Sequence, residues 1–170
     1  DVERSRGLGD VYKRQVDEVA ITAVRDKKPS KVGRVSFEYK SGILFVTLPS
    51  GRKLSYAKPR MMLNKFGREG LTYEGIGESK KWMRLETYGP KLVENIVQAA
   101  SRDILAEAML RLEKEGFDIV CHVHDEVVLE VPDGKSSVEE VNEIMAVNSV
   151  WTEGLPLKAA GFESPFYKKD

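Results

Sequence analysis

The stretch that decides the fold is Val120-Cys121-His122-Val123-His124-Asp125-Glu126-Val127-Val128-Leu129-Glu130-Val131-Pro132. Two apolar runs rich in valine flank three polar residues, His124, Asp125 and Glu126. Valine at this density is typical of β-strands, and Pro132 ends the second run. The sequence therefore predicts a β-hairpin with an acidic pair at or beside its tip.

The acidic pair suggests a metal site. If the two strands were buried, holding Asp125 and Glu126 between them would be costly, because carboxylates prefer water. A divalent cation is the usual compensation, and Mg²⁺ prefers carboxylate oxygens together with substrate phosphates. Asp125 is therefore a candidate Mg²⁺ ligand that faces a phosphoryl group.

A second interpretation makes the same stretch a small metal-dependent hydrolase. His122 and His124 lie two residues apart, so on one strand both imidazoles would point the same way, beside Asp125. A zinc hydrolase needs three or more ligands, and this chain has only two histidines. A carboxylate would have to complete such a site.

Size and composition predict one globular domain. The chain has 170 residues, of which 41% are hydrophobic, enough for a core. No stretch has the length of a membrane span and no signal peptide opens the chain, so we expect no membrane association and a cytoplasmic location. Cys121 is the single cysteine, which excludes an internal disulfide. It is expected to be a small buried apolar residue.

The charges balance overall but are distributed unevenly. Residues 25–68 carry 12 basic and 2 acidic side chains, whereas residues 69–170 carry 11 basic and 20 acidic ones. Such asymmetry favours one surface for a polyanion and another rich in carboxylates. A non-catalytic nucleic-acid-binding module is therefore a third candidate function.

The remaining sequence predicts an α+β fold. Residues 1–15 lack a helical or strand period and are interpreted as a non-native or disordered leader, since residues 10–15 resemble the translated end of a transposon used to prepare sequencing libraries. The predicted elements are a helix over 16–24, strands over 34–40, 43–48, 53–57, 71–75 and 81–85, a long helix over 89–115, hairpin strands over 117–123 and 127–131, a helix starting at 136–137, and a short strand over 156–159. In the long helix, Val97 is assigned to the apolar stripe, and Gln98 and Arg102 to the polar face.

Four blocks of the chain resemble the family A DNA polymerases. His124-Asp125-Glu126 between two strands resembles motif C of that family. Residues 87–105 are similar to the helix that precedes motif C in phage-encoded members, and residues 48–56 and 161–170 are similar to two further blocks of that subgroup. Pro90 departs from the pattern, where glycine is expected, although proline suits the first turn of a helix. The resemblance covers residues 34–170.

The resemblance implies part of a polymerase palm, an antiparallel sheet with the motif C hairpin packed against a long helix, preceded by a basic β-meander over residues 34–57. It implies that Asp125 is one of two metal-binding aspartates in a two-metal Mg²⁺ site, with Glu126 as a supporting or weaker ligand. His124 and Gln98 match positions that approach the primer-template, and Arg102 lies near them on the helix. Arg52 and Lys53 are candidates for phosphate contacts, while His122 is expected to be structural.

The resemblance also implies partners, and it implies that the active site is incomplete in this chain. The partners would be primer-template DNA, deoxynucleoside triphosphates, and the remainder of the polymerase chain with the upstream palm, fingers and thumb. The upstream motif with the second aspartate and the fingers helix do not occur in this sequence. Residues 16–170 are therefore interpreted as the C-terminal part of a catalytic domain, expected to be inactive alone and to work in the cytoplasm of a bacterial host if phage-encoded.

Overall fold

The computed structural model describes residues 2–63 and 67–168, with side chains from residue 9 onward. Three helices, α1 (Val2–Arg25), α2 (Gly89–Lys114) and α3 (Val138–Met145), accompany eight strands and a short 3-10 turn at Val150–Thr152. The strands are β1 (Ser30–Val32), β2 (Val35–Lys40), β3 (Ile43–Thr47), β4 (Lys53–Leu63), β5 (Glu69–Ile76), β6 (Trp82–Thr87), β7 (Asp118–Val123) and β8 (Glu126–Glu130). The predicted α+β class is confirmed. Over the described residues, no helix combines the length and the apolar character needed to cross a bilayer.

The chain forms two compact units, residues 1–100 and 101–170, and α2 contributes to both. In the first unit, β1 to β6 form an antiparallel meander in which each strand pairs with the next. The tight turn at Ser41 and Gly42, predicted from the sequence, joins β2 to β3 with both residues at positive φ. β1 was not predicted, because three residues with one apolar side chain leave no period to detect.

The core of the first unit lies on one face of the meander. Alternate residues of the strands point to that face, and they pack against the apolar side of α1 and the start of α2. The largest fully buried side chains there are Phe37, Leu44, Val46, Leu48, Val16 and Leu92. Val97 was expected in the apolar stripe, but its side chain is 57% exposed, so that assignment is wrong. Leu92 takes an inward position of α2 instead, alongside Ile96.

Helix α1 begins at Val2, whereas the apolar pattern predicted a start at Val16. The polar residues before Val16 gave no amphipathic signal, yet the backbone continues the helix through them. Lys13 is part of the packing: a Cβ built on Gly89 would lie 2.1 Å from the Lys13 carbonyl oxygen. The Gly89 amide also donates to Asp17 Oδ1 at 2.8 Å. The close approach of α1 thus explains why glycine stands where α2 begins.

The second unit contains the later turns of α2, the β7–β8 hairpin and α3. Its buried apolar residues are Leu105, Ala108, Leu112 and Phe117. The predicted glycine cap is confirmed, because Gly116 has φ +84° and the Phe117 amide donates to the Leu112 carbonyl. The predicted start of α3 is confirmed by Ser137, whose hydroxyl accepts from the Glu140 amide at 3.2 Å.

Two details of the second unit were not specified correctly by the sequence pattern. The β7–β8 hairpin forms a two-stranded sheet of its own and is not a part of the six-stranded sheet. Residues 156–159, predicted as a short strand, have no regular structure. Strand pairing depends on distant partners, and a short apolar run cannot specify them.

Candidate functional site

The tip of the β7–β8 hairpin is a two-residue turn. Val123 pairs with Glu126, so His124 and Asp125 form the loop between them. His124 has φ +54°, in the left-handed region, which two-residue hairpin loops require at their first position. Histidine tolerates this region better than most residues with a Cβ. The predicted hairpin with its polar tip is confirmed.

The acidic pair faces solvent in this structure. His124, Asp125 and Glu126 are all exposed, so the expected cost of burying the two carboxylates does not arise here. Cys121 is exposed as well, and its expected burial is wrong. A two-stranded sheet leaves its outer face open, which explains the exposure of Cys121 and of Val120, 60% of whose surface is accessible. The carboxylates at the tip are therefore accessible to a cation.

The two histidines do not share one strand face. His122 is a strand residue paired with Val127, while His124 lies in the turn. Arg102 Nη2 lies 3.4 Å from His122 Nε2, which can accept from the guanidinium when its proton is on Nδ1. Within residues 2–63 and 67–168, histidine, cysteine and acidic side chains do not gather in threes with metal-binding geometry. The geometric premise of the zinc hydrolase interpretation is therefore not met.

The carboxylates at the tip nevertheless suit a hard cation. Asp125 and Glu126 offer adjacent oxygen donors at an open turn, and Mg²⁺ commonly uses only one or two protein carboxylates, taking its other ligands from water and phosphate. The donor chemistry thus fits Mg²⁺ better than zinc.

The other candidate residues have partners within the chain. Gln98 is exposed on α2 in the first unit, where its amide donates to Glu94 Oε1 at 3.3 Å. Arg52 donates from Nη2 to the Ala99 carbonyl at 2.8 Å, which ties the β3–β4 turn to α2. The Lys53 ammonium lies 5.6 Å from the centre of the Phe45 ring. Arg52 and Lys53 are exposed, but part of their interaction capacity is already used.

A charged cluster on β4, β5 and β6 was not predicted. Glu74 accepts hydrogen bonds from Lys58 Nζ at 2.8 Å, Arg84 Nη2 at 3.0 Å and Trp82 Nε1 at 3.1 Å. The hydrogen bond from Lys58, together with those from Trp82 and the nearby positive charges, lowers the pKa of Glu74 to about 2. Glu74 is therefore ionised at any ordinary pH.

Arg84 holds this cluster to an irregularity of the sheet. β4 bulges between Ala57 and Arg60, and Lys58 within the bulge has φ +43°. Arg84 Nη1 donates to the Lys58 carbonyl at 3.2 Å and to Thr72 Oγ1 at 3.1 Å. The guanidinium thus satisfies a carbonyl that the bulge removes from regular pairing. The bulge interrupts the alternating pattern at Lys58 and Pro59, so sequence reasoning ended β4 at residue 57 and missed this cluster.

The sequence is similar to a viral DNA polymerase. It is 55% identical over 157 residues to the DNA polymerase of Bacillus phage SP02, and the match covers 91% of this chain and 24% of that protein. The chain therefore spans about a quarter of the length of the relative that it matches. No family model matches the sequence, and no solved structure matches it significantly.

Proposed function

We propose that this chain is the C-terminal part of the palm of a family A, template-directed DNA polymerase, and that Asp125 is one of its metal-binding carboxylates. The observation that carries the proposal is the open His124-Asp125 turn, in a chain 55% identical to a phage DNA polymerase. A strand-turn-strand presents a carboxylate on a short, rigid element, which a metal site requires. The catalytic part would comprise residues 16–170, with residues 1–15 as a leader foreign to it.

The hairpin residues have distinct roles in this proposal. Asp125 and, more weakly, Glu126 would hold Mg²⁺, which would supply charge neutralisation for the triphosphate and alignment of the primer 3′-oxygen. His124 precedes Asp125 in the turn, and its imidazole would contact the primer end. Arg102 supports this arrangement, because its hydrogen bond with His122 ties β7 to α2.

The remaining contacts would be made to DNA. Gln98 is an exposed amide that can donate to minor-groove acceptors, which A·T and T·A pairs share, so it can test pair shape without reading sequence. Arg52 and Lys53, in the basic meander over residues 34–57, would contact backbone phosphates. Deoxynucleoside triphosphates and the rest of a polymerase chain would complete the active site, in the cytoplasm of a bacterial host.

A chimera tests this function. The matching quarter of the SP02 polymerase would be replaced by residues 16–170 of this chain, and Mg²⁺-dependent primer extension measured. We expect extension by the chimera and none by the 170-residue chain alone, because one metal-binding aspartate cannot complete a two-metal site. The control is the SP02 polymerase without the replaced segment. A chimera that folds and binds primer-template but does not extend it would overturn the proposal, and extension by the isolated chain would overturn its account of the missing aspartate.

A further inference from the structure

The face of the six-stranded sheet opposite the core carries an exposed indole. Trp82 on β6 pairs with Ile76 on β5 at the end of the two strands. The two side chains are 62% and 69% exposed. Large apolar side chains side by side in water are costly, and in a protein they commonly mark a contact surface.

The Trp82 ring is held in place by its polar edge. Trp82 Nε1 donates to Glu74 Oε2 at 3.1 Å, and Glu74 is fixed in turn by Lys58 and Arg84. The indole is therefore anchored through its N–H while most of its surface remains in solvent. A ring fixed before binding loses little conformational freedom when a planar group stacks on it.

Basic residues lie near this ring. The β5–β6 turn is closed by hydrogen bonds from the Gly77 amide to the Lys81 carbonyl at 3.0 Å and from the Lys80 amide to the Gly77 carbonyl at 2.9 Å. This turn places Lys80 and Lys81, both exposed, directly before Trp82. By strand register, Arg60, Glu74, Arg84 and Glu86 lie on the same face as Trp82. Lys58 reaches Glu74 from the bulge, and Glu78, Lys80 and Lys81 belong to the adjoining β5–β6 turn. Cations therefore exceed carboxylates, and the Glu74 charge is matched by Lys58 and Arg84.

We infer that this surface, centred on Trp82, binds single-stranded DNA. One base would stack on the indole and contact Ile76, while Arg60, Lys80 and Lys81 pair with the neighbouring phosphates. An anchored aromatic ring within a basic surface is the combination that binds single strands without sequence preference. A duplex keeps its bases stacked and offers only phosphates, so it would not use the ring. The choice of DNA as the nucleic acid rests on the proposed polymerase function.

Fluorescence of Trp82 gives a direct test. The chain has two tryptophans, so Trp151→Phe leaves Trp82 as the sole reporter. Titration of this variant with a twelve-nucleotide oligothymidylate at low salt should quench its emission, because the base stacks on the indole. A blunt duplex of equal length should leave the emission unchanged. Oligothymidylate that binds without quenching would overturn the inference.

Substitutions measure the contribution of the ring. In anisotropy titrations we expect Trp82→Leu to weaken oligothymidylate binding about tenfold. Trp82→Phe keeps an aromatic face but loses the hydrogen bond to Glu74, and it should retain most of the affinity. If Trp82 were merely structural, both variants would lose affinity equally. The matched control is Phe166→Leu, which removes an aromatic side chain that is 68% exposed in the other unit, and it should bind as the unmodified chain does.

The outcomes separate this inference from the polymerase proposal. If the Trp82→Leu variant bound oligothymidylate with an affinity within a factor of two of that of the unmodified chain, the inference that the Trp82 surface binds single strands would be overturned. A chain that binds duplex but no single strand would also overturn it, although primer extension by the chimera would still support the polymerase function. If single-strand binding depended on Trp82 but the chimera could not extend a primer, the inference about Trp82 would be supported and the proposed polymerase function would be overturned.

Discussion

At the scale of residues, the hairpin tip shows what a sequence can and cannot predict. The valine-rich runs placed the turn within His124, Asp125 and Glu126, because β-structure suits such runs on both sides of polar residues, and the structure narrows it to His124 and Asp125. The left-handed backbone of His124 was not predictable, since histidine adopts positive φ only when strand register demands it. The exposure of the acidic pair was also missed, because burial depends on whether other elements cover the hairpin.

The backbone of His124 leads to a test on stability. His124→Val should lower the free energy of unfolding by about 1–2 kcal/mol, because a β-branched side chain at positive φ is strained. Cys121→Val, at an exposed strand position of the same hairpin, should be nearly neutral. Thermal or urea unfolding of the two variants compares them directly. Equal stability of both variants would contradict the turn geometry.

Glu74 leads to a test on pH dependence. Its pKa is lowered from 4.5 to about 2 in the folded chain, so ionised Glu74 stabilises the fold at and above pH 4.5. That contribution should disappear as the pH falls from 4.5 towards 2, because the unfolded chain binds the proton first. Glu74→Gln should remove this part of the acid sensitivity in urea unfolding at successive pH values. Glu38→Gln, an exposed position on the same sheet, is the control and should leave the acid profile unchanged.

At the scale of elements, the sequence predicted most helices and strands but not their extent. Amphipathic spacing marked the buried part of α1, whereas the polar turns before Val16 are held by helix continuity and by contact with Gly89. β4 runs six residues further than predicted because a bulge at Lys58 and Pro59 breaks the alternation without ending the strand. The spacing of apolar residues in a sequence indicates which side chains are buried. It therefore misses parts of helices and strands in which burial does not follow a regular period.

The contact between α1 and α2 can be tested at Gly89. Gly89→Ala should destabilise the first unit by about 1–3 kcal/mol, because the added Cβ would overlap the Lys13 carbonyl, and backbone moves less easily than a side chain. Gly70→Ala is the matched control, since a Cβ there has open space. Chemical unfolding measures both. A neutral Gly89→Ala would show that Lys13 does not pack against the start of α2.

A second substitution tests the helical state of the early residues. Gly9 lies within α1, and a Cβ at that position meets nothing within 4 Å. Gly9→Ala should therefore stabilise the chain by about 0.5–1 kcal/mol through helix propensity alone. The expected gain should also appear as increased helical circular dichroism near the midpoint of thermal unfolding. An unchanged midpoint would mean that α1 does not extend to Gly9 in water.

At the scale of the whole molecule, the order of the predicted elements indicated the α+β class and the distribution of charged residues indicated the charge asymmetry, but neither predicted the division into two units. Residues 25–68, with their basic excess, lie in the first unit, whereas the acidic hairpin and α3 belong to the second. Among the described residues, the β7–β8 hairpin forms a two-stranded sheet of its own. The sequence did not specify this, because pairing between distant strands leaves no local signal. The likeness to a polymerase came from short blocks whose order, rather than whose composition, was informative.

The central claim is that Asp125 is a metal-binding carboxylate of a polymerase. Its most direct test is primer extension by the SP02 chimera carrying Asp125→Asn, compared with Asp118→Asn, which changes an exposed aspartate on the same hairpin. We predict that Asp125→Asn lowers extension about a thousandfold while primer-template binding is nearly unchanged, and that Asp118→Asn extends normally. Normal extension by the Asp125→Asn chimera would contradict the assignment.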